Sequence, residues 1–248
     1  MKSFLSWRTL LVLPVVAAFW ALTPNPAAAD TTYTISNGNS DISGLPSPYG
    51  TLNVHLDATQ TMATFLLTMG SGSSGGTTYF YQAGDGATIG LNLKLTAGES
   101  VAFPSSGSFS FTQLPLSGGN GTPTFSNGGT GNVDGWGSFN FQVNSSDGAH
   151  SASRTLMFTL TLTGGTWADD ANVLTSNGVN PAVVHVMSYT QNPDGTYTDH
   201  NVTGFAVPGG GSQVVPEPSS IILGLCGLVG LGLTQIRRLV RRNPLALA

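Results

Sequence analysis

Strict alternation of apolar and polar residues is the feature that most limits how this chain can fold. It recurs from Thr31 to Val207, as in Thr51-Leu-Asn-Val-His-Leu-Asp57, Ala87–Leu95, Ser138–Val143, Thr155–Leu162 and Ala182–Tyr189. Successive side chains of a strand point to opposite faces, so a period of two makes one face apolar and the other polar; a helix needs 3.6. Threonine and the β-branched residues that fill these runs suit a pleated, half-buried surface. Between the runs lie turn-forming clusters, Gly70–Gly76, Gly118–Gly121, Asn127–Gly131 and Asn192-Pro-Asp-Gly195. About ten short strands set off by such turns predict an all-β chain, an antiparallel β-sandwich of jelly-roll type, with a barrel as the lesser alternative. Only Trp167–Leu174 reads as a helical turn or two. No repeat of fixed period is present, which excludes a solenoid.

The two ends follow different rules. Lys2 and Arg8 precede an apolar stretch from Leu10 to Leu22, and Ala27-Ala28-Ala29 stands just before Asp30. A charged start, an apolar centre and small residues at a cleavage position make a secretory signal peptide over 1–29, cut between Ala29 and Asp30. At the other end Ile221–Leu233 carries no charge, and the segment runs on to Ile236 before Arg237, Arg238, Arg241 and Arg242. A membrane-spanning helix takes ~20 apolar residues, with a lower limit near 17, and snorkelling arginines lengthen a short one. The segment 221–236 is therefore expected to span a membrane, with the arginines and the tail 243–248 on the cytoplasmic side. Gly209-Gly-Gly-Ser212 reads as a flexible tether over 208–213, which puts the exported domain at 30–207.

Just before the apolar run stands Val215-Pro216-Glu217-Pro218-Ser219-Ser220. Two prolines fix φ and disfavour helix before them, so this stretch is extended and accessible. Motif, short apolar helix and arginine cluster together resemble the PEP-CTERM sorting signal of Gram-negative bacteria, here over 214–242. That resemblance implies processing near the motif by exosortase, a membrane-embedded protease or transpeptidase, and a link to exopolysaccharide export and biofilm matrix. The run Gly50–Leu95 is also similar to the Thr-rich β domains of such cargo, which implies the same class of protein and no particular activity.

Chemistry in the central region is sparse. Only 8% of the residues are charged, against a usual ~25%. Between Asp30 and Gln213 the cations are Lys94 and Arg154 and the anions are ten aspartates and Glu99, a net charge of −9. So acidic a region argues against nucleic acid or anionic lipid as partner. The single cysteine, Cys226, lies in the apolar tail, so the domain is expected to stand without disulfides. His55, His150, His185 and His200 stand in no H-E-x-x-H setting, and a lone Glu99 excludes a paired-glutamate glycosidase. The chain is expected not to be an enzyme.

Two binding chemistries have candidate residues. Asp169 and Asp170, beside Gly- and Asn-containing loops, are the candidate ligands for calcium, the one cofactor these residues suggest. Trp136 and Trp167 offer flat faces for carbohydrate; in Tyr79-Phe80-Tyr81 the alternation assigns Phe80 to the core. The leading expectation is an exported, transiently membrane-anchored matrix protein. The alternative is a cell-surface module that binds polysaccharide, with or without calcium.

Overall fold

A computed structural model describes residues 30–210 and 213–215. The leader with Ala27 and Ala29, Pro216–Ser220, the apolar run and the four arginines lie outside the described residues. Among the described residues no helix is long and apolar enough to cross a membrane.

The chain forms β1 (Asp30–Gly38), β2 (Gly50–Leu56), β3 (Met62–Met69), β4 (Ser71–Ser74), β5 (Thr77–Ala83), β6 (Ala87–Leu91), β7 (Ser100–Val101) and β8 (Ser110–Thr112). There follow β9 (Phe125–Asn127), β10 (Gly131–Asn132), β11 (Ser138–Phe139), β12 (Phe141–Ser145), β13 (Thr155–Thr163), β14 (Ala182–Gln191), β15 (Tyr197–Pro208) and β16 (Gln213–Val215). The predicted helical turn is a 3-10 turn at Asp170–Asn172.

Fourteen strands share one antiparallel sheet, with the main path β7-β13-β3-β2-β1-β15-β14-β6-β12-β9; β10 and β11 make a separate hairpin. The sheet curls. Ala83, at the end of β5, and Ser153, just before β13, exchange backbone hydrogen bonds of 2.8 and 2.7 Å. Since β5 also pairs with β14, this bridge returns the path to the strand near which it began. The expected antiparallel β architecture is present as one curled sheet whose inner faces share a core.

That core is built as the alternation requires. Leu52, Val54 and Leu56 of β2, Phe65 and Leu67 of β3, and Leu156, Phe158 and Leu160 of β13 are all buried, while their threonine neighbours face out. Phe65 and Phe158 are register partners and stack with ring centroids 5.2 Å apart. Phe109 packs on Phe158 at 5.5 Å and on Phe125 at 4.8 Å; Phe103 joins Phe109 to Phe141. Phenylalanines thus link β3 and β13 to β9 and β12, the two halves of the curled sheet.

β14 departs from the expected half-buried strand, because both of its faces are covered. Ala182, Val184 and Val186 join the main core, whereas Val183 packs under the β10–β11 hairpin with Val133 and Phe139. Gly90 makes room for that hairpin: a Cβ there would stand 2.8 Å from Val183 Cγ1 and 3.1 Å from the Phe139 ring. Three further expectations change. Ser71–Ser74, read within a turn cluster, is a strand paired with β5. Tyr81, not Phe80, is the fully buried ring of its segment, with its hydroxyl on the Pro46 carbonyl at 2.5 Å. The described ends of the stretch read as a flexible tether lie beside β1: Gly209 N–H donates to the Thr34 carbonyl at 3.2 Å, and Gln213 opens β16, which pairs with Asp30–Thr32. Strand pairing among the described residues accordingly continues past Val207, to Val215.

Phe158→Ala removes the ring on which Phe65 and Phe109 both pack. Truncating a buried phenylalanine costs about 3–5 kcal/mol, a large share of the ~5–15 kcal/mol that holds a domain together. Urea unfolding is expected to show a loss in that range; a loss below about 1 kcal/mol would mean the ring chain does not carry the core.

Candidate functional site

The aspartates are first of all turn-makers. Asp57 accepts from the Thr61 and Met62 N–H groups at 3.2 and 2.9 Å, and Thr59 donates its hydroxyl to the other oxygen. These hydrogen bonds, the Thr59 hydroxyl foremost, hold its carboxyl below the ordinary range. Asp194 does the same in the Asn192–Gly195 turn, accepting from Thr196 N–H at 2.9 Å and from the Thr196 hydroxyl at 2.6 Å, and its carboxyl is likewise lowered. Asp85 accepts from Gly148 N–H at 2.9 Å.

Asp169 and Asp170 sit at one end of the sheet beside Asp30 and His55. Asp169 is exposed and caps the 3-10 turn, its Oδ1 accepting from Asn172 N–H at 2.9 Å and from Asn172 Nδ2 at 2.7 Å. Asp170 is only 2% exposed; one oxygen accepts from the Leu56 N–H and Oδ2 has no partner. Burial pushes its carboxyl upward, against the opposing pull of the Leu56 hydrogen bond and of His55. Asp30 Oδ1 meets His55 Nδ1 at 2.7 Å on the exposed side of the same corner. Among the described residues no three His, Cys, Asp or Glu side chains come together as a metal-holding group. Calcium takes 6–8 oxygens, so these two aspartates would need backbone carbonyls and water to complete a shell.

The two tryptophans part company. Trp167 is 3% exposed and donates Nε1–H to the Lys94 carbonyl at 3.1 Å; it anchors its loop to the core and offers no open face. That corrects its assignment as a carbohydrate platform, and the cause is packing against the end of the main core. Trp136 is half-buried on the β10–β11 hairpin, packed with Val133, Phe139 and Val183, its Nε1 turned inward without a partner.

Of the histidines, His55 is exposed in its strand, as the alternation implied. His185 is not a surface residue. It lies buried and stacked on Phe205 at 4.3 Å, with Nδ1 2.8 Å from the Asp85 carbonyl and Nε2 2.7 Å from the Thr203 hydroxyl. The Thr203 hydroxyl is also 3.0 Å from the Val186 carbonyl, a strand-to-strand tie.

An open cleft of about 400 Å³ lies on the β5–β14 surface, lined by Gly76, Thr77, Thr78, Phe80, Thr190 and Gln191. The half-buried Phe80 ring is held edge-on by Tyr197 at 4.8 Å, and the Arg154 guanidinium carbon is 6.0 Å from its centroid. Arg154 donates to the Gly70 and Tyr81 carbonyls, and burial lowers its pKa. An aromatic ring framed by hydroxyls and one amide suits a sugar ring, which offers C–H groups on its faces and hydroxyls at its rim. Sequence reasoning missed Phe80 in this role because it fixed the wrong phase for Tyr79-Phe80-Tyr81.

Comparison with known protein families, with curated proteins and with solved structures gives no match.

Asp170 gives a test by pH. Its folded-state carboxyl titrates above its ordinary value of 3.8, so the folded chain holds that proton longer than the unfolded chain. This favours the fold at low pH, and the gain is lost as pH rises from about 3.8 through the raised value. In urea unfolding, wild type is expected to lose stability relative to Asp170→Asn across that window and to run parallel to it above. Parallel curves throughout would place Asp170 in an unperturbed setting. In the same proteins, a calcium-dependent rise in Tm abolished by Asp170→Asn would assign calcium to this corner.

Proposed function

We propose that this chain is an exported, non-enzymatic β protein, held transiently in the inner membrane by its C-terminal segment and processed by exosortase. Its destination in this reading is the cell surface or the extracellular polysaccharide and biofilm matrix. The observation that carries the reading is the pairing of Asp30 with Val215. Asp30 is the first residue after the expected signal cleavage, and Val215 is the first residue of the sorting motif. Asp30 and Val215 thus lie on paired strands of one compact unit, and a chain cut before Asp30 and beyond Val215 keeps every residue of the described core. A Cys-free interior held by stacked phenylalanines is consistent with export, since it depends on no redox environment. In finer terms we read the curled sheet as a jelly-roll-like sandwich.

A second reading, polysaccharide binding at the surface, is favoured by the Phe80 cleft, with Trp136 as a further half-exposed ring. It needs no metal, and calcium enters only if the acidic corner holds it.

Intact-mass measurement of the protein from its native host tests the first reading. The mature chain is expected to begin at Asp30 and to lack the residues after about Pro218. A chain that keeps its apolar run and arginines in an exosortase-competent cell would overturn it.

A further inference from the structure

Five threonines stand in one register row across five adjacent strands. β1, β2, β3, β13 and β8 lie side by side, and Thr34 pairs with Thr51, Thr51 with Thr68, Thr68 with Thr155 and Thr155 with Thr112. Paired residues share a face, and this one points away from the core filled by Leu52, Leu67 and Leu156. Two residues along, the next row is Thr32, Asn53, Leu66, Met157 and Ser110. A third holds His55, Thr64 and Thr159, with Asp30 beside His55.

The rows form a regular lattice of hydroxyls with an apolar centre. β-Branching restricts each threonine rotamer, so methyl and hydroxyl directions repeat from strand to strand. Neighbours fix one another: Thr112 and Thr155 hydroxyls are 2.7 Å apart, Thr64 and Thr159 3.0 Å, and Asn53 Nδ2 donates to Thr32 Oγ1 at 3.1 Å. At the centre Leu66 and Met157, register partners, are 39% and 41% exposed. Four inter-strand steps of about 4.8 Å make the threonine row roughly 19 Å long, enough for several sugar rings.

Charge decides what such a face accepts. The region carries a net charge of −9, yet these three rows hold only Asp30 and His55, which contact each other at one corner. With no Lys or Arg in these rows and its one histidine held against Asp30, the face offers no free cation to uronate, sulfate or phosphate polymers. A neutral sugar polymer matches it on both counts, with hydroxyls for the threonines and C–H faces for Leu66 and Met157. Side chains already ordered lose little entropy on binding.

We propose that the outer face of β1, β2, β3, β13 and β8 binds a neutral, linear polysaccharide laid across the strands. The proposal rests on the matrix reading above and gives it a surface distinct from the Phe80 cleft. It is tested by retention of the purified full chain on microcrystalline cellulose, insoluble mannan and cross-linked dextran, with alginate beads as the acidic comparison. Wild type is expected to be held by at least one neutral glycan and to bind alginate at least tenfold less. Thr51→Lys/Thr68→Lys and, separately, Leu66→Ser/Met157→Ser are each expected to cut retention at least tenfold while melting cooperatively. Phe80→Ala is expected to retain the neutral glycan. Binding unaffected by both double variants but lost in Phe80→Ala would overturn the threonine face and leave the polysaccharide reading standing on the cleft. Retention on none of the neutral glycans would overturn both binding readings and leave the export reading untouched. Concentration-dependent dimerisation, abolished by Leu66→Ser/Met157→Ser and without glycan retention, would overturn the proposal in favour of a self-association face.

Discussion

The stacked phenylalanines are the interaction on which this structure depends. The described part of the chain holds no cysteine and few charges, and apart from short 3-10 turns its regular elements are strands, several of them two or three residues long. Backbone ladders alone would leave an open sheet with an apolar face. Phe65, Phe158, Phe109, Phe125, Phe103 and Phe141 form an unbroken chain of ring contacts from one half of the sheet to the other. The Ala83–Ser153 bridge then fixes the curl that brings those rings together. Burial supplies the driving force, and the stacked and tilted ring contacts add geometric preference.

With the interior assigned to apolar rings, the polar half of each strand is free of structural duty beyond solubility. On β2, β3 and β13 that half is chiefly threonine; around β14 it is covered by the β10–β11 hairpin and by the loop carrying Leu114 and Leu116. The curled sheet therefore has one open, nearly uncharged outer face and one overlaid by loops. The aspartates go mainly to turns, where they cap backbone N–H groups, and Asp170 spends a buried carboxylate on the end of β2. Acidity here is largely a by-product of tight turns and supplies little ready-made chemistry.

Much of the fold was legible in the sequence, and the reason is the period of two. Thr155–Leu162 places Leu156, Phe158 and Leu160 inward as the alternation requires. Where both faces are buried the period loses its meaning, as in Ala182–Tyr189, and burial by a distant hairpin cannot be read locally. In Tyr79-Phe80-Tyr81 every residue is aromatic, so phase is ambiguous; the longer Tyr81 fills the interior because its hydroxyl finds the Pro46 carbonyl. The candidate surface was the least legible part. Each threonine of the row is visible in the sequence, but only strand order and register bring Thr34, Thr51, Thr68, Thr112 and Thr155 into one line. Asp30 and Val215 are likewise far apart in sequence and adjacent in the sheet.

The central claim is that the stretch from Asp30 to Val215, which the proposed processing would leave whole, is a self-sufficient unit, closed by β1 and β16 and held by its phenylalanine core. Scanning calorimetry of residues 30–215 expressed alone tests it most directly. The expected result is one cooperative transition, with calorimetric and van't Hoff enthalpies equal and insensitive to reductant. A broad, non-cooperative melt would contradict it, because the unit would then depend on segments outside Asp30–Val215.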